Sequence, residues 1–133
     1  MHLKIITHDR IVFDEDVNEI YTKGVDGEFG ILKGHIPVVS ALDIGVTKVV
    51  QNDICKFFTT MGGIFQFKND EATILTDTAE DGSDIDITRA KAAKERAEAR
   101  LAEKNANVDI KRAEAALSRA LARLKTAMVS TQK

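Results

Sequence analysis

Arg89, Arg96, Arg119 and Arg123 are the side chains best suited to ligand chemistry, and that chemistry is the holding of a polyphosphate. Arg89 stands in the run Asp86-Ile87-Thr88-Arg89-Ala90, Arg96 follows, and Arg119 and Arg123 come after a break in the pattern. In an antiparallel helical hairpin turning near Ala106, Arg89 lies opposite Arg123 and Arg96 near Arg119, so the guanidiniums converge on a common surface. Arg119 and Arg123 are also i,i+4 neighbours with no acidic residue after Glu114 to neutralise them. Such like-charge pairs cost about 0.2–0.5 kcal/mol each unless an anion fills the space between them. Asp86 and Ala90 sharpen the site, because a carboxylate accepts from the amino group of a base and a small side chain leaves room for a ring. The cluster points to a bound nucleotide, and hence to a sensor. From charge alone, a solvated basic face is the better reading.

Other chemistry finds no support. His2, His8 and His35 lack metal-ligand spacing, and Cys55 sits in a strand pattern with no base near it in sequence. They read as surface histidines and a buried thiol, so no catalytic and no metal-binding residue is assigned. No glycine-rich turn leads from a strand into a helix, which excludes a P-loop or Rossmann unit. An enzyme is therefore disfavoured. A free-standing nucleotide or nucleic-acid binding module, using basic helices against phosphates, is the alternative. The absence of aromatic residues beyond Lys68 argues against stacking on single strands.

Two kinds of sequence must position the cluster. All eight glycines lie at or before Gly82, the one proline is Pro37, and beyond Ser83 the chain turns to alanine, lysine, arginine, glutamate and leucine. Residues 1–82 carry 7 basic and 14 acidic side chains, a balance of −7, whereas residues 83–133 carry 12 and 7, a balance of +5. The halves thus attract each other or meet oppositely charged partners. In the first half, 3–7, 17–21, 46–50, 54–60 and 72–76 combine β-branched or aromatic residues with rough alternation, separated by turn signals at Asp26-Gly27, Asn52-Asp53, Gly62-Gly63 and Asn69-Asp70. Gly27, Gly30 and Gly34 suit positive φ at tight turns, with Ile31-Leu32 dipping into a core and His35-Ile36-Pro37 exposed.

In the second half, Ser83 or Asp84 caps a first helix running to about Lys104, with Asp86 in its opening turn. Asn105-Ala106-Asn107 makes a turn, and Asp109 opens a second helix. Ile110, Ala113, Leu117, Leu121, Leu124 and Met128 form its apolar seam, facing Ile87, Ala90, Ala93, Ala97 and Leu101. The reading is an α+β chain: an N-terminal flattened antiparallel β-sandwich domain at 1–82, then a C-terminal antiparallel two-helix hairpin at 83–133. Alanine opposite leucine buries modest area, so the hairpin is a low-stability element able to detach as a unit. One cysteine, no charged-then-apolar leader and no apolar run near 18 residues read as a soluble cytoplasmic chain, reaching a membrane only through partners.

Gly27-Glu28-Phe29-Gly30-Ile31-Leu32-Lys33-Gly34-His35-Ile36-Pro37, then Gly62-Gly63-Ile64-Phe65, and then the run from Asp84 to Ala97 closely resemble, in order, the epsilon subunit of bacterial F-type ATP synthases. The resemblance implies a non-catalytic subunit of the rotary central stalk. Its sandwich would lie against the gamma subunit and the c-subunit ring, on the cytoplasmic side of the bacterial cell membrane without inserting in it. Its hairpin would fold down on the sandwich or extend towards the catalytic alpha and beta subunits, where it obstructs hydrolysis. The resemblance further implies ATP as a regulatory ligand with no metal required, Glu80, Ile85, Asp86, Arg89 and Ala90 surrounding the adenosine and Arg96, Arg119 and Arg123 holding phosphates. Lys33 departs from the proline usual before Gly34-His35, which loosens one turn and touches none of these residues.

Overall fold

The computed structural model describes residues 1–103 and 109–131; the expected turn at Asn105-Ala106-Asn107 lies outside them. Eight strands come first: β1 (His2–Ile6), β2 (Ile11–Asp16), β3 (Glu19–Gly24), β4 (Gly27–Leu32), β5 (Val38–Gln51), β6 (Ile54–Lys68), β7 (Glu71–Leu75) and β8 (Ala79–Asp81). A single 3-10 turn, Gly82–Asp84, leads to α1 (Ile87–Ala102) and α2 (Ile110–Thr131).

The strands hydrogen-bond in the order β2-β1-β7-β6-β5-β3-β4, with β8 added beside β6. Every pair is antiparallel except β1 with β7. The sheet folds on itself because β5 and β6 are long and bent. The middle of β6, from Phe58 to Thr60, pairs with β8 and the last part, from Ile64, pairs with β7. Gly62 and Gly63 sit at that break with φ of 75° and 111°, and a Cβ on Gly63 would lie 1.9 Å from the Leu75 carbonyl oxygen. They form a kink inside one strand, not the turn expected between two. Two tight hairpins, by contrast, fall where the turn signals are: Asn52-Asp53 and Asn69-Asp70 have positive φ throughout, the geometry that matches strand twist.

Alternation along the strands places Leu3, Ile5, Phe13, Ile20, Ile31, Val49, Phe58, Phe65 and Ile74 in one core between the layers. Leu32 is half exposed and His35-Ile36-Pro37 stands out in solvent. Gly30 has no positive φ. It belongs to β4 opposite Tyr21, whose ring would lie 2.7 Å from a Cβ there. Cys55 is exposed, not buried, because as the second residue of β6 it lies at the rim of a hairpin. At the other edge His2 bridges Asp16 and Asp14 of β2, which together raise its pKa, Asp16 the more strongly.

Helix α2 packs on the outer face of β5 and β6, and α1 packs on α2. Asp86, rather than Ser83 or Asp84, is the N-cap of α1, accepting from the Arg89 amide at 3.0 Å; Ser83 and Asp84 belong to the 3-10 turn, which Asp81 caps. Asp109 accepts from the Arg112 amide at 3.1 Å and caps α2. The buried residues of the helices are Ala90 and Ala97 of α1 and Ala113, Ala120, Ala122, Thr126 and Ala127 of α2. The seam expected on α2 holds at Ala113, but Ile110, Leu121 and Met128 are about half exposed and the buried face is rotated towards Ala120, Ala122 and Ala127. Where the strands give way to the helices, Gly82 touches α2 so closely that a Cβ would lie 1.9 Å from the Ser130 hydroxyl.

Docking has one conspicuous cost. Thr59 of β6 stands in register between Val46 and Glu80, on the face that α2 covers, and its hydroxyl is fully buried without a hydrogen-bond partner. An orphaned buried hydroxyl costs about 1–3 kcal/mol, a cost removed when the hairpin lifts and water returns. Thr59→Val is expected to favour the docked hairpin by about 1 kcal/mol, near fivefold, seen as slower amide exchange in α2. Unchanged exchange would show that the hydroxyl opposes nothing.

Candidate functional site

Where the sandwich meets the hairpin, a cleft of about 580 Å3 opens. This lies within the range of about 300–1,000 Å3 typical of small-ligand sites. Its sandwich wall is the β1–β2 turn, Thr7 to Arg10, with Asp77 to Glu80 leading into β8. Its hairpin wall is Asp84, Ile85 and Asp86, then Arg89, Ala90, Ala93 and Arg96 of α1, and Arg123 of α2. The helical period explains that wall: Arg89, Ala93 and Arg96 are spaced by four and three residues, hence on one face of α1.

Seven of the expected ligand residues, Glu80, Ile85, Asp86, Arg89, Ala90, Arg96 and Arg123, line this cleft together. Arg119 does not. It lines a neighbouring hollow of about 230 Å3 between the helices, with Ala93, Arg96, Arg100, Ala116 and Arg123. Arg96 and Arg123 border both spaces, so the second hollow continues the first. Arg100 joins the cluster because it lies four residues beyond Arg96.

The two walls are opposite in charge. The hairpin wall brings Arg89, Arg96 and Arg123 beside Asp84 and Asp86, a balance of +1, while the sandwich wall brings Asp9, Asp77 and Glu80 beside Arg10, a balance of −2. Thr7 donates its hydroxyl to Asp9 at 2.6 Å, which holds that carboxyl below its usual pKa range. Glu80 accepts from Arg123 Nε at 2.6 Å, a pair in which each side chain is about one-third exposed. Of Asp86, one oxygen is committed to the Arg89 amide. The β1–β2 turn was not evident from the sequence as part of this site. Its residues lie about 80 positions before α1, and only the parallel docking of β1 on β7 brings Thr7 beside Asp77.

Chemically the cleft suits binding of an anion with a planar group. Arginines supply forked donors, and Ala90 and Ala93 leave a shallow small-residue floor. Among the described residues no group of histidine, cysteine, aspartate or glutamate is arranged to hold a metal ion. No helix among them is long and apolar enough to cross a membrane.

Two family models match the chain: the ATP synthase delta/epsilon chain β-sandwich domain over residues 1–82 and the long α-helix domain of the same chain over residues 83–128. An ATP synthase epsilon chain from Desulforamulus reducens is 46% identical over 101 residues, covering 74% of this chain and 75% of its own. That of Lawsonia intracellularis is 44% identical over 101 residues, covering 76% of each. Among solved structures, a chain of the Euglena gracilis mitochondrial ATP synthase, in its OSCP/F1/c-ring assembly, superposes with a TM-score of 0.82 at 25% identity, over 95% of this chain and 79% of that one. A chain from the central stalk and c-ring of the Tetrahymena thermophila mitochondrial enzyme shares the fold, with a TM-score of 0.61 at 15% identity over 96% of each.

Proposed function

Because this chain belongs to the ATP synthase delta/epsilon family across both its parts, we propose that its hairpin is a brake on ATP hydrolysis and that bound ATP stabilises the docked, released-brake state. As an epsilon chain it is a non-catalytic subunit of the central stalk, with gamma, the c-ring and the alpha and beta subunits as its partners. The F1 sector to which it belongs is part of a membrane-associated complex. In a bacterium this chain would lie peripherally, on the cytoplasmic side of the cell membrane.

One observation carries the proposal: the cleft has one wall on the sandwich and the other on the hairpin. It exists only while the hairpin is down. A ligand that touches both walls therefore prefers the docked state, and such preference is the sole means by which a ligand shifts an equilibrium. At about a hundred times its Kd the ligand adds roughly 2.7 kcal/mol to the docked state. That is ample against an interface made mostly of alanine and carrying the orphaned Thr59 hydroxyl. When ATP is scarce the hairpin lifts and reaches the catalytic head; when ATP is plentiful it stays down. Arg119, Arg123 and Arg96 hold the phosphates, and Glu80, Ile85, Asp86, Arg89 and Ala90 surround the adenosine. The arginines suffice for the charge, and no metal is required.

Isothermal titration of the isolated subunit with ATP, ADP and GTP tests this. One ATP site is expected, with weaker binding of ADP because the arginine cluster has capacity for a third phosphate. Absence of heat at millimolar ATP would remove the sensor and leave the stalk assignment intact.

A further inference from the structure

The acidic wall of the cleft needs its own explanation, because a site selected only for phosphate affinity would not place Asp9, Asp77 and Glu80 opposite its arginines. We propose that Glu80 is a positioning residue that sets the threshold of the sensor. Its carboxylate neutralises Arg123, pins α2 to β8, and opposes the entry of any phosphate group. This rests on the reading that the cleft takes a nucleotide polyphosphate.

The geometry favours this role for Glu80 over its neighbours. Among the described residues, the Glu80–Arg123 contact is the ion pair that joins strand to hairpin. Glu80 engages Nε at 2.6 Å. That single contact leaves the four N–H donors of the two terminal nitrogens for another acceptor. Phosphate can therefore bind Arg123 without displacing Glu80, but it must do so beside a negative charge. Two effects follow from one carboxylate. Without nucleotide it adds an attraction that holds the hairpin down, and beside bound phosphates it weakens the hold of Arg123, offsetting part of what it contributes around the adenosine, so the site responds at higher concentration. Surface-type pairs of this exposure reach about 1 kcal/mol, so each effect is about fivefold.

Inorganic tripolyphosphate is the probe, because it presents phosphates without a base for Glu80 to recognise. Glu80→Gln keeps an acceptor oxygen for Arg123 and removes the charge. In the full-length chain it is expected to bind tripolyphosphate about fivefold more tightly, and to show faster amide exchange in α2 when no ligand is present. Adding Arg123→Ala to Glu80→Gln should abolish the gain. Unchanged or weaker tripolyphosphate binding by Glu80→Gln, with ATP still bound by the unaltered chain, would overturn the threshold role alone. If neither compound binds either chain, the nucleotide reading falls and the threshold role with it.

Discussion

A chain ended after Asp81 is expected to assemble into the stalk and support proton-driven ATP synthesis, while hydrolysis becomes severalfold faster and no longer depends on prior exposure to ATP. Among the described residues all the strands lie between His2 and Asp81, and the core of the sandwich draws on none beyond Ala79. Removing the helices uncovers the outer face of β5 and β6, where Val46, Thr59 and Met61 lie, but leaves that core intact. What is lost is the basic surface from Arg112 to Lys125, which on the proposed function is the part that obstructs the catalytic head. The same deletion removes the hairpin wall of the cleft, so obstruction and nucleotide response disappear together. Membrane vesicles carrying full-length or shortened subunit can be compared for synthesis and hydrolysis. Lost synthesis with unchanged hydrolysis would show the two roles to be reversed.

Single arginine substitutions should have the next largest effect. Arg123→Ala or Arg119→Ala is expected to weaken ATP binding at least roughly tenfold, since a charge-assisted hydrogen bond contributes about 1.5–3 kcal/mol. The two differ in what else they remove. Arg123 also holds Glu80, so its loss loosens the docked hairpin before any ligand arrives. Arg119 lines the inter-helix hollow and has no such partner on the sandwich among the described residues, so its loss should act on the bound phosphates alone. Arg112 is exposed in the first turn of α2 and lines neither space; Arg112→Ala should change binding little. Equal losses at all three positions, measured by titration calorimetry, would mean that diffuse charge attracts the nucleotide and no pocket exists.

The division into strands and helices was legible because the one proline is Pro37, the last aromatic residue is Phe67 and the last glycine is Gly82, after which the chain is rich in helix formers. The arginine cluster was legible for a similar reason: in a two-helix hairpin, spacing alone fixes which side chains face each other, and Arg89, Arg96 and Arg123 do meet at one cleft. Local pattern failed where a decision depended on a distant element. Gly62-Gly63 has the same φ demands in a turn as in a kink, and only the pairing of β6 with both β7 and β8 makes it a kink. On α2, hydropathy favoured the leucine and isoleucine face. Packing against α1 and the sandwich at once needs close approach, which alanine permits, so Ala113 of the expected seam is joined in burial by Ala120, Ala122 and Ala127, which lay outside it. The short strands β2, β4 and β8 were hidden by acidic or glycine-rich composition, and their pairing with β1, β3 and β6 supplies what propensity does not.

The central claim is that ATP holds the hairpin against the sandwich. Amide hydrogen exchange of the full-length subunit, with and without saturating ATP, measures this at the helices themselves. Exchange across α1 and α2 is expected to slow with ATP in the unaltered chain, with the strands of the sandwich core unaffected, and to slow far less in Arg123→Ala. Clear ATP binding by calorimetry with unchanged exchange in both helices would contradict the account, because the nucleotide would then be bound without stabilising the docked hairpin.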